Sequence, residues 1–367
     1  RETMKSLTVV ALAAMLGVSA AEVHPDRQKM IDEINSMPGN TWKAGVNPRF
    51  AHMAPGASKK LCGVKEESHN HLQQMVAEGK ASIFEKNPEF TVPTSFDSAA
   101  HWPQCAKTIA DIRDQSDCGC CWAFGAAEAA SDRMCIATNA SILVPLSAQN
   151  MCFCASWAGC DGGQLGQAWD YIQSSGLVTG GQNKGIGPFG NGYCSEFSLP
   201  HCHHHGPVGH GGDPYPSEGS AGCPSVSTSP SCPTKCDADA KSPHNDFSSD
   251  KYSFKGQIQT MPSDADAIAQ AIMQGGPVEC AFTVYSDFEN YVSGIYKHTS
   301  GTMLGGHAVK IVGWGEEGGV KYWKVANSWN PYWGEKGYFR IVRGTNECGI
   351  EDDVVAAVAS AKWGKMA

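Results

Sequence analysis

Apolar positions change their spacing several times along the chain, and each change predicts a different kind of element. Residues 7–18 read LTVVALAAMLGV, set between Lys5 and the small residues Ser19-Ala20-Ala21. A basic residue, a short apolar run and a small-residue end are the anatomy of a secretory signal, and the run is too short to span a membrane. Residues 1–21, with Arg1-Glu2-Thr3 as a leading remnant, are expected to be that signal. From 22 to about 91 the chain is polar, with one short helical pattern that sets Met30, Ile31 and Ile34 on one face, then Trp42 and a loop-like segment. Pro88 and Pro93 bracket a boundary. From 118 to 134 the run CGCCWAFGAAEAASDRM is alanine-rich and free of proline, which predicts a helix opening near Cys121. Between 176 and 250 Gly, Pro, Ser, His and Cys take over, which predicts loops held by disulfides. Beyond Tyr252 the apolar runs 278–285, 307–314, 322–325 and 338–342, separated by glycine-rich turns, predict strands. Helices first and strands later make an α+β fold.

Composition narrows the class. Of 367 residues 41% are apolar and 18% charged, which belongs to a folded protein rather than a disordered one. The length suits two domains, or one large domain with processed segments. A net charge of −9 lacks the basic footprint that phosphate contacts require, so nucleic acid is not expected as a partner. Sixteen cysteines point to an oxidising compartment unless they bind metal. In that compartment Asn139-Ala140-Ser141 is a glycosylation acceptor sequence.

Three segments carry the candidate chemistry: Gln115-Ser116-Asp117-Cys118-Gly119-Cys120-Cys121-Trp122, Gly305-Gly306-His307-Ala308 and Asn327-Ser328-Trp329. Taken singly, Cys121 reads as a disulfide partner, His307 as a core histidine and Asn327 as a turn former. Taken together they resemble the papain-like cysteine proteases, and within them the cathepsin B type, over a stretch from Trp42 through Asp353. The resemblance implies a two-lobed papain-like fold, with a helical left lobe and a β-barrel-like right lobe. A thiol of ordinary pKa is mostly protonated at neutral or acid pH, so a nucleophilic cysteine needs a helix N-terminus and an imidazolium beside it. Cys121 would be that nucleophile and His307 its partner, with Asn327 orienting the ring and Trp329 shielding the contact. Gln115 and the Cys121 backbone N–H would form the oxyanion hole. Cys120 departs from the Ser or Ala usual at its position, and as a free neighbouring thiol it would make an oxidised Cys121 prone to further reaction. Two other classes compete: a catalytically silent peptide-binding homologue, and a redox or metal protein using Cys118 and Cys121 as a dithiol.

The same resemblance supplies further expectations. Residues 202–223 look like an occluding loop, in which His204 and His205 would hold a substrate's C-terminal carboxylate and His204 would pair with Asp114. The loop is longer than usual, and Ser220 and Tyr332 stand where a second fixing salt bridge would be. A zinc site at Cys202 and its neighbouring histidines is the competing reading, but no second ligand pair completes it, so no metal and no cofactor are expected. Gly162 and Gly163 would line the cleft wall, and Asp353 would sit in a substrate side-chain pocket. Implied disulfides are Cys105–Cys135, Cys118–Cys160, Cys152–Cys232, Cys194–Cys236 and Cys202–Cys223. Residues 41–45 and 61–63 resemble a propeptide, so 22–91 would be an inhibitory segment and 92–367 the catalytic domain, cleaved apart near 90–93. Acidification is expected to loosen that segment. The expected partners are peptide and protein substrates and the chain's own propeptide. The expected state is a monomer without a membrane span, in a lysosome, an acidic vacuole or outside the cell.

Overall fold

The structure, a computed structural model, describes residues 23–155, 158–182, 185–200 and 228–366. The signal-like residues 1–21, and with them Cys202, His204, His205, Ser220 and Cys223, lie outside the described residues. Helices come first: α1 (Pro25–Ser36), α2 (Ser68–Ala77), α3 (Ser98–His101), α4 (Ala106–Ile109), α5 (Cys121–Ala137), α6 (Ala148–Cys154), α7 (Leu165–Ser175) and, later, α8 (Ala265–Gly275). Strands are β1 (Trp42–Ala44), β2 (Ala81–Ile83), β3 (Phe96–Asp97), β4 (Tyr252–Lys255), β5 (Ile258–Met261), β6 (Val278–Tyr285), β7 (Tyr291–Tyr296), β8 (Met303–Glu317), β9 (Val320–Ala326), β10 (Tyr338–Val342), β11 (Asp353–Ala357) and β12 (Lys362–Lys365). The four late apolar runs are β6, β8, β9 and β10, and the alanine-rich run is α5.

Alanine and glycine let α5 lie deep in the molecule, with Cys121 through Cys135 all buried. It packs on α6 and α7 on one side and on β8 and β6 on the other. Two buried cations fasten it to the sheet side. Lys310 of β8 reaches Asp132 at 2.7 Å, and Arg133 donates to the carbonyls of Pro277, Ala357 and Gly276. Partners of this kind are what permit full charges at zero exposure.

The main sheet runs β1-β7-β10-β9-β8-β6-β11-β5-β2, so both outer strands come from the N-terminal segment. Trp42 of β1 pairs with Gly294, packs 5.2 Å from the Tyr296 ring and donates its indole N–H to Lys297 O. At the other edge β2 runs parallel to β5, with Ala81 opposite Ile258. The helical pattern at Met30, Ile31 and Ile34 is α1, with Ile31 and Ile34 buried. Alongside them lies Arg27, fully buried, which donates to Glu289 at 2.9 Å and to Asn290 at 2.8 Å, while Glu289 also accepts the N–H groups of Gly56 and Ser58. The stretch after Trp42, expected as loop, also contains α2. Its polar residues outnumber its buried ones, Ser68, Leu72 and Met75, so the apolar stripe is too thin to stand out in sequence.

Disulfides join Cys105 to Cys135, Cys118 to Cys160 and Cys194 to Cys236. The expected Cys152–Cys232 pair is not formed. Cys232 bonds Cys154, and Cys152 bonds Cys120. Cys152 and Cys154 are two residues apart on α6, and a helix turns them toward different sides, one to α5 and one to the loop that carries Cys232. Cys120 is therefore no free thiol beside Cys121. Among the described residues the free cysteines are Cys62, Cys121, Cys280 and Cys348.

Because Glu289 is buried, removing its cationic partner leaves an uncompensated charge. Arg27→Ala is expected to destabilise the whole chain by about 3–5 kcal/mol, read as a shift in the urea unfolding midpoint. A loss under about 1 kcal/mol would mean that the N-terminal segment simply lifts away and lets water in.

Candidate active site

The site is built where α5 begins. The first N–H groups of any helix lack helical partners, and a side chain at the N-cap usually takes one of them. Here the N-cap is Cys120, whose sulfur is tied to Cys152 and makes no cap bond. Its carbonyl takes the N–H groups of Ala123 at 2.9 Å and Phe124 at 3.1 Å, and the Cys121 side chain stands at the open end. The Cys121 sulfur accepts from the N–H of Gly63 at 3.2 Å and is also approached by the N–H groups of Trp122 and Ala308. Ala308 follows His307 on β8, so the long central strand delivers that histidine to the helix end.

His307 is fully buried opposite Phe282 of β6. Its Nε2 lies 2.8 Å from Oδ1 of Asn327, which follows β9 directly. Because that amide oxygen also accepts the Ser328 N–H at 2.9 Å, Nε2 is assigned the donor role, which leaves Nδ1 as the acceptor of a neutral ring. Nδ1 is buried without a hydrogen bond among the described residues. The Trp329 ring covers the imidazole at 5.1 Å and is itself covered by Phe50 at 5.7 Å. Gln115 is pinned by Ser328, whose carbonyl takes its backbone N–H at 2.8 Å and whose hydroxyl donates to Oε1 at 2.8 Å. Its Nε2 then donates to Cys118 O at 2.8 Å and to Leu61 O at 3.0 Å. Ser328 was given no role from the sequence, although its place between Asn327 and Trp329 was the available signal.

Residues 61–65 of the N-terminal segment pass between two glycine walls. Gly163 donates to Gly63 O at 2.9 Å and accepts from Lys65 at 3.0 Å, while Val64 donates to Gly306 O at 3.0 Å. Glycine is required on this path. Gly162 has φ +106°, and a Cβ there would come 2.5 Å from the Gly63 carbonyl oxygen, while one on Gly163 would strike the Trp122 ring.

Burial sets the protonation states beneath this cover. Loss of water pushes the Cys121 thiol up to about 11, against the pull of the backbone N–H groups of Ala308, Gly63 and Trp122. Loss of water likewise pushes His307 down to about 4, against the hydrogen bond to Asn327. Both shifts favour the neutral thiol and neutral imidazole.

Asp353 stands at the start of β11, its carboxyl raised by burial and held back by His69 of α2, 2.6 Å away. The cavity beside them is lined by Leu72, Val76, Met261 and Val354. Asp114 accepts the Ser116 N–H at 2.8 Å, and Arg49 lies 3.9 Å from it while donating to Ser116 O at 2.7 Å. Its expected partner His204 is outside the described residues.

Comparison with known proteins identifies the family. Residues 92–358 match the Papain family cysteine protease family, and residues 27–68 match the Peptidase family C1 propeptide. Cathepsin B-like cysteine proteinase 6 of Caenorhabditis elegans is 40% identical over 342 residues, covering 92% of this chain and 84% of that protein. A cathepsin B-like cysteine proteinase of Schistosoma japonicum is 39% identical over 338 residues, covering 92% of each. Among solved structures, proCathepsin B S9 from Trypanosoma congolense superposes with a TM-score of 0.69 at 29% identity, over 90% of this chain and 97% of that one. Digestive procathepsin L 3 of Tenebrio molitor shares the fold, with a TM-score of 0.60 at 21% identity over 91% and 89%. With half its length and more matched by one family and its N-terminal segment by that family's propeptide, the chain belongs to the papain family of cysteine proteases, as a cathepsin B-like member that carries its propeptide.

Proposed function

We propose that Cys121 is the nucleophile and His307 the acid–base of this peptidase, and that the processed enzyme cuts within chains and also removes C-terminal dipeptides. The observation that carries the reading is the passage of residues 61–65. A peptide backbone already lies across the Cys121 sulfur, hydrogen-bonded to both walls, with the Leu61 carbonyl on the Gln115 amide. A substrate occupying the same groove would present its carbonyl to Cys121.

With the segment gone, water returns and the burial that holds the pair neutral is relieved. The proton of Cys121 passes to His307, and the thiolate is stabilised by the open end of α5. Attack on the carbonyl forms the C–S bond, while the oxyanion takes the Gln115 Nε2–H and the Cys121 N–H. His307 then gives its proton to the leaving amine. Later it takes one from water, which hydrolyses the thioester and restores the thiol. Asn327 keeps the ring in register through Nε2 and Trp329 keeps water off that bond. Dipeptide removal would rest on Asp114, His204 and His205 at the closed end of the groove, and the preference for a cationic side chain on Asp353. The signal-like start and the five bridges among the described residues support a route through the secretory pathway, to an acidic vesicle or outside the cell.

Two histidines of α2 meet different surroundings. His69 lies 2.6 Å from the Asp353 carboxylate. His71 is different: its Nδ1 is buried without a hydrogen bond, packed against Gly166 at the start of α7, whose Leu165 N–H is capped by Ser68 of the propeptide. Burial lowers the His71 pKa from 6.5, against the pull of Asp170 and Glu78 and with the help of Lys80. The released segment therefore binds the proton more readily than the docked one, and docking weakens as pH falls below 6.5.

Cleavage products of an N-blocked peptide, followed by mass spectrometry after acid processing, test the main reading. Stepwise loss of C-terminal dipeptides, absent in Cys121→Ala, is expected. Internal cuts alone would remove the role of His204 and His205, and cleavage by Cys121→Ala would remove the nucleophile. Iodoacetamide should alkylate Cys121 in the intact zymogen roughly a hundredfold more slowly at pH 7 than in the processed enzyme. Equal rates would show that burial does not hold the thiol neutral. Replacing His71 by phenylalanine should move propeptide release to lower pH, measured as the midpoint of segment dissociation. An unmoved midpoint would assign release to other groups.

A further inference from the structure

We propose that the two disulfides flanking Cys121 form one thiol-exchange relay, through which a small thiol acting at the cleft wall opens the buried bridge behind the nucleophile. Cys118 and Cys120 alternate with Gly119 and Cys121, and each is bonded to a different element. Cys118 is tied to Cys160, two residues from the Gly162 wall, and Cys120 is tied to Cys152 on α6. The sulfurs of Cys118, Cys120 and Cys152 all lie within 4.8 Å of one another. Their residues are sealed from solvent, with exposures of 1%, 0% and 0%, whereas Cys160 is partly exposed and lines a cavity with Lys60, Gly119 and Asp161. A reductant has no direct way to the Cys120–Cys152 bond, but it has one to Cys160.

The exchange balances without an oxidant. A thiolate RS⁻ attacks the Cys160 sulfur, the Cys118–Cys160 bond breaks, and RS–Cys160 forms as Cys118 leaves as a thiolate. Cys118 leaves with its sulfur within 4.8 Å of the Cys120 sulfur, which it can attack in turn. The Cys118 thiolate then attacks the Cys120 sulfur, a Cys118–Cys120 bond forms, and Cys152 leaves as a thiolate that takes up a proton. One thiol is consumed and one is released, and two disulfides remain throughout. The outcome uncouples α6 from the N-cap of α5 and the wall residue Cys160 from the motif loop. Any effect on turnover rests on Cys121 being the nucleophile; the exchange itself does not.

The test therefore reads labelling rather than activity. The whole chain carrying Cys121→Ala is incubated with glutathione at pH 8, quenched with iodoacetamide and mapped by peptide mass spectrometry. Glutathione on Cys160, alkylated Cys152 and a Cys118–Cys120 cross-link are expected together. A further Cys160→Ser change leaves Cys118 free, and should release Cys152 for labelling with no added thiol. A further Cys118→Ser/Cys160→Ser pair should slow Cys152 labelling by about tenfold or more. Glutathionylated Cys160 without labelled Cys152, or Cys152 labelled as fast without the Cys118–Cys160 pair as with it, would overturn the relay. If the paired variant does not fold, the cross-link in the otherwise unchanged chain decides, since its absence alongside labelled Cys152 also overturns it.

Discussion

A helix must start with backbone N–H groups that have no helical partner, and in this chain that start is buried in the middle of the molecule. The rest of the site follows from the way α5 is placed. Alanines let it pass through the core, Lys310 and Arg133 tie it to the sheet, and an N-cap residue whose side chain is spent in a disulfide leaves its end uncapped. The polarity of that end makes a lone sulfur at its first position chemically useful. It also makes the position vulnerable, because a group that stabilises an anion does so for any anion that arrives. The fold meets this by delivering a histidine on a central strand and by covering the whole with its own backbone.

That cover acts through water as much as through shape. Residues 61–65 use peptide groups rather than side chains to hold both walls, and their presence dries the cleft. Drying moves the thiol and the imidazole in opposite directions, and both movements favour the uncharged pair. The inhibited state is therefore an electrostatic condition as well as a blocked path. The anchors of the cover are side chains, Arg27 on Glu289 and Trp42 against Tyr296, all of them buried.

Much of this was legible in the chain before any coordinates. Elements with a strong period or a simple composition declare themselves, as α5, β6 and β10 do, because a helix of alanines and a strand of alternating apolar residues each need little help from elsewhere. The segments around Gln115, His307 and Asn327 stand out in the chain because each is a run of neighbours rather than a single residue, whereas Ser328, which holds Gln115 in place, does not stand out. What was not legible was decided by partners distant in sequence. Helix α2 is stabilised by the groove it fills, not by its own stripe, and the choice between Cys152 and Cys154 depends on which way α6 faces when it docks. Likewise the different surroundings of His69 and His71, two residues apart on one helix, are set by what lies across from them, a carboxylate in one case and a glycine at a helix start in the other.

The sheet itself is borrowed at both ends. Its outermost strands, β1 and β2, belong to the segment that processing near residues 90–93 would remove, so the processed enzyme keeps β7 and β5 as bare borders with unanswered N–H and C=O groups. Such borders attract other strands. Maturation by that cut would thus also be a change in colloidal character: in opening the groove it would strip the molecule of its own selvedge and leave the peptidase among substrates with two open seams.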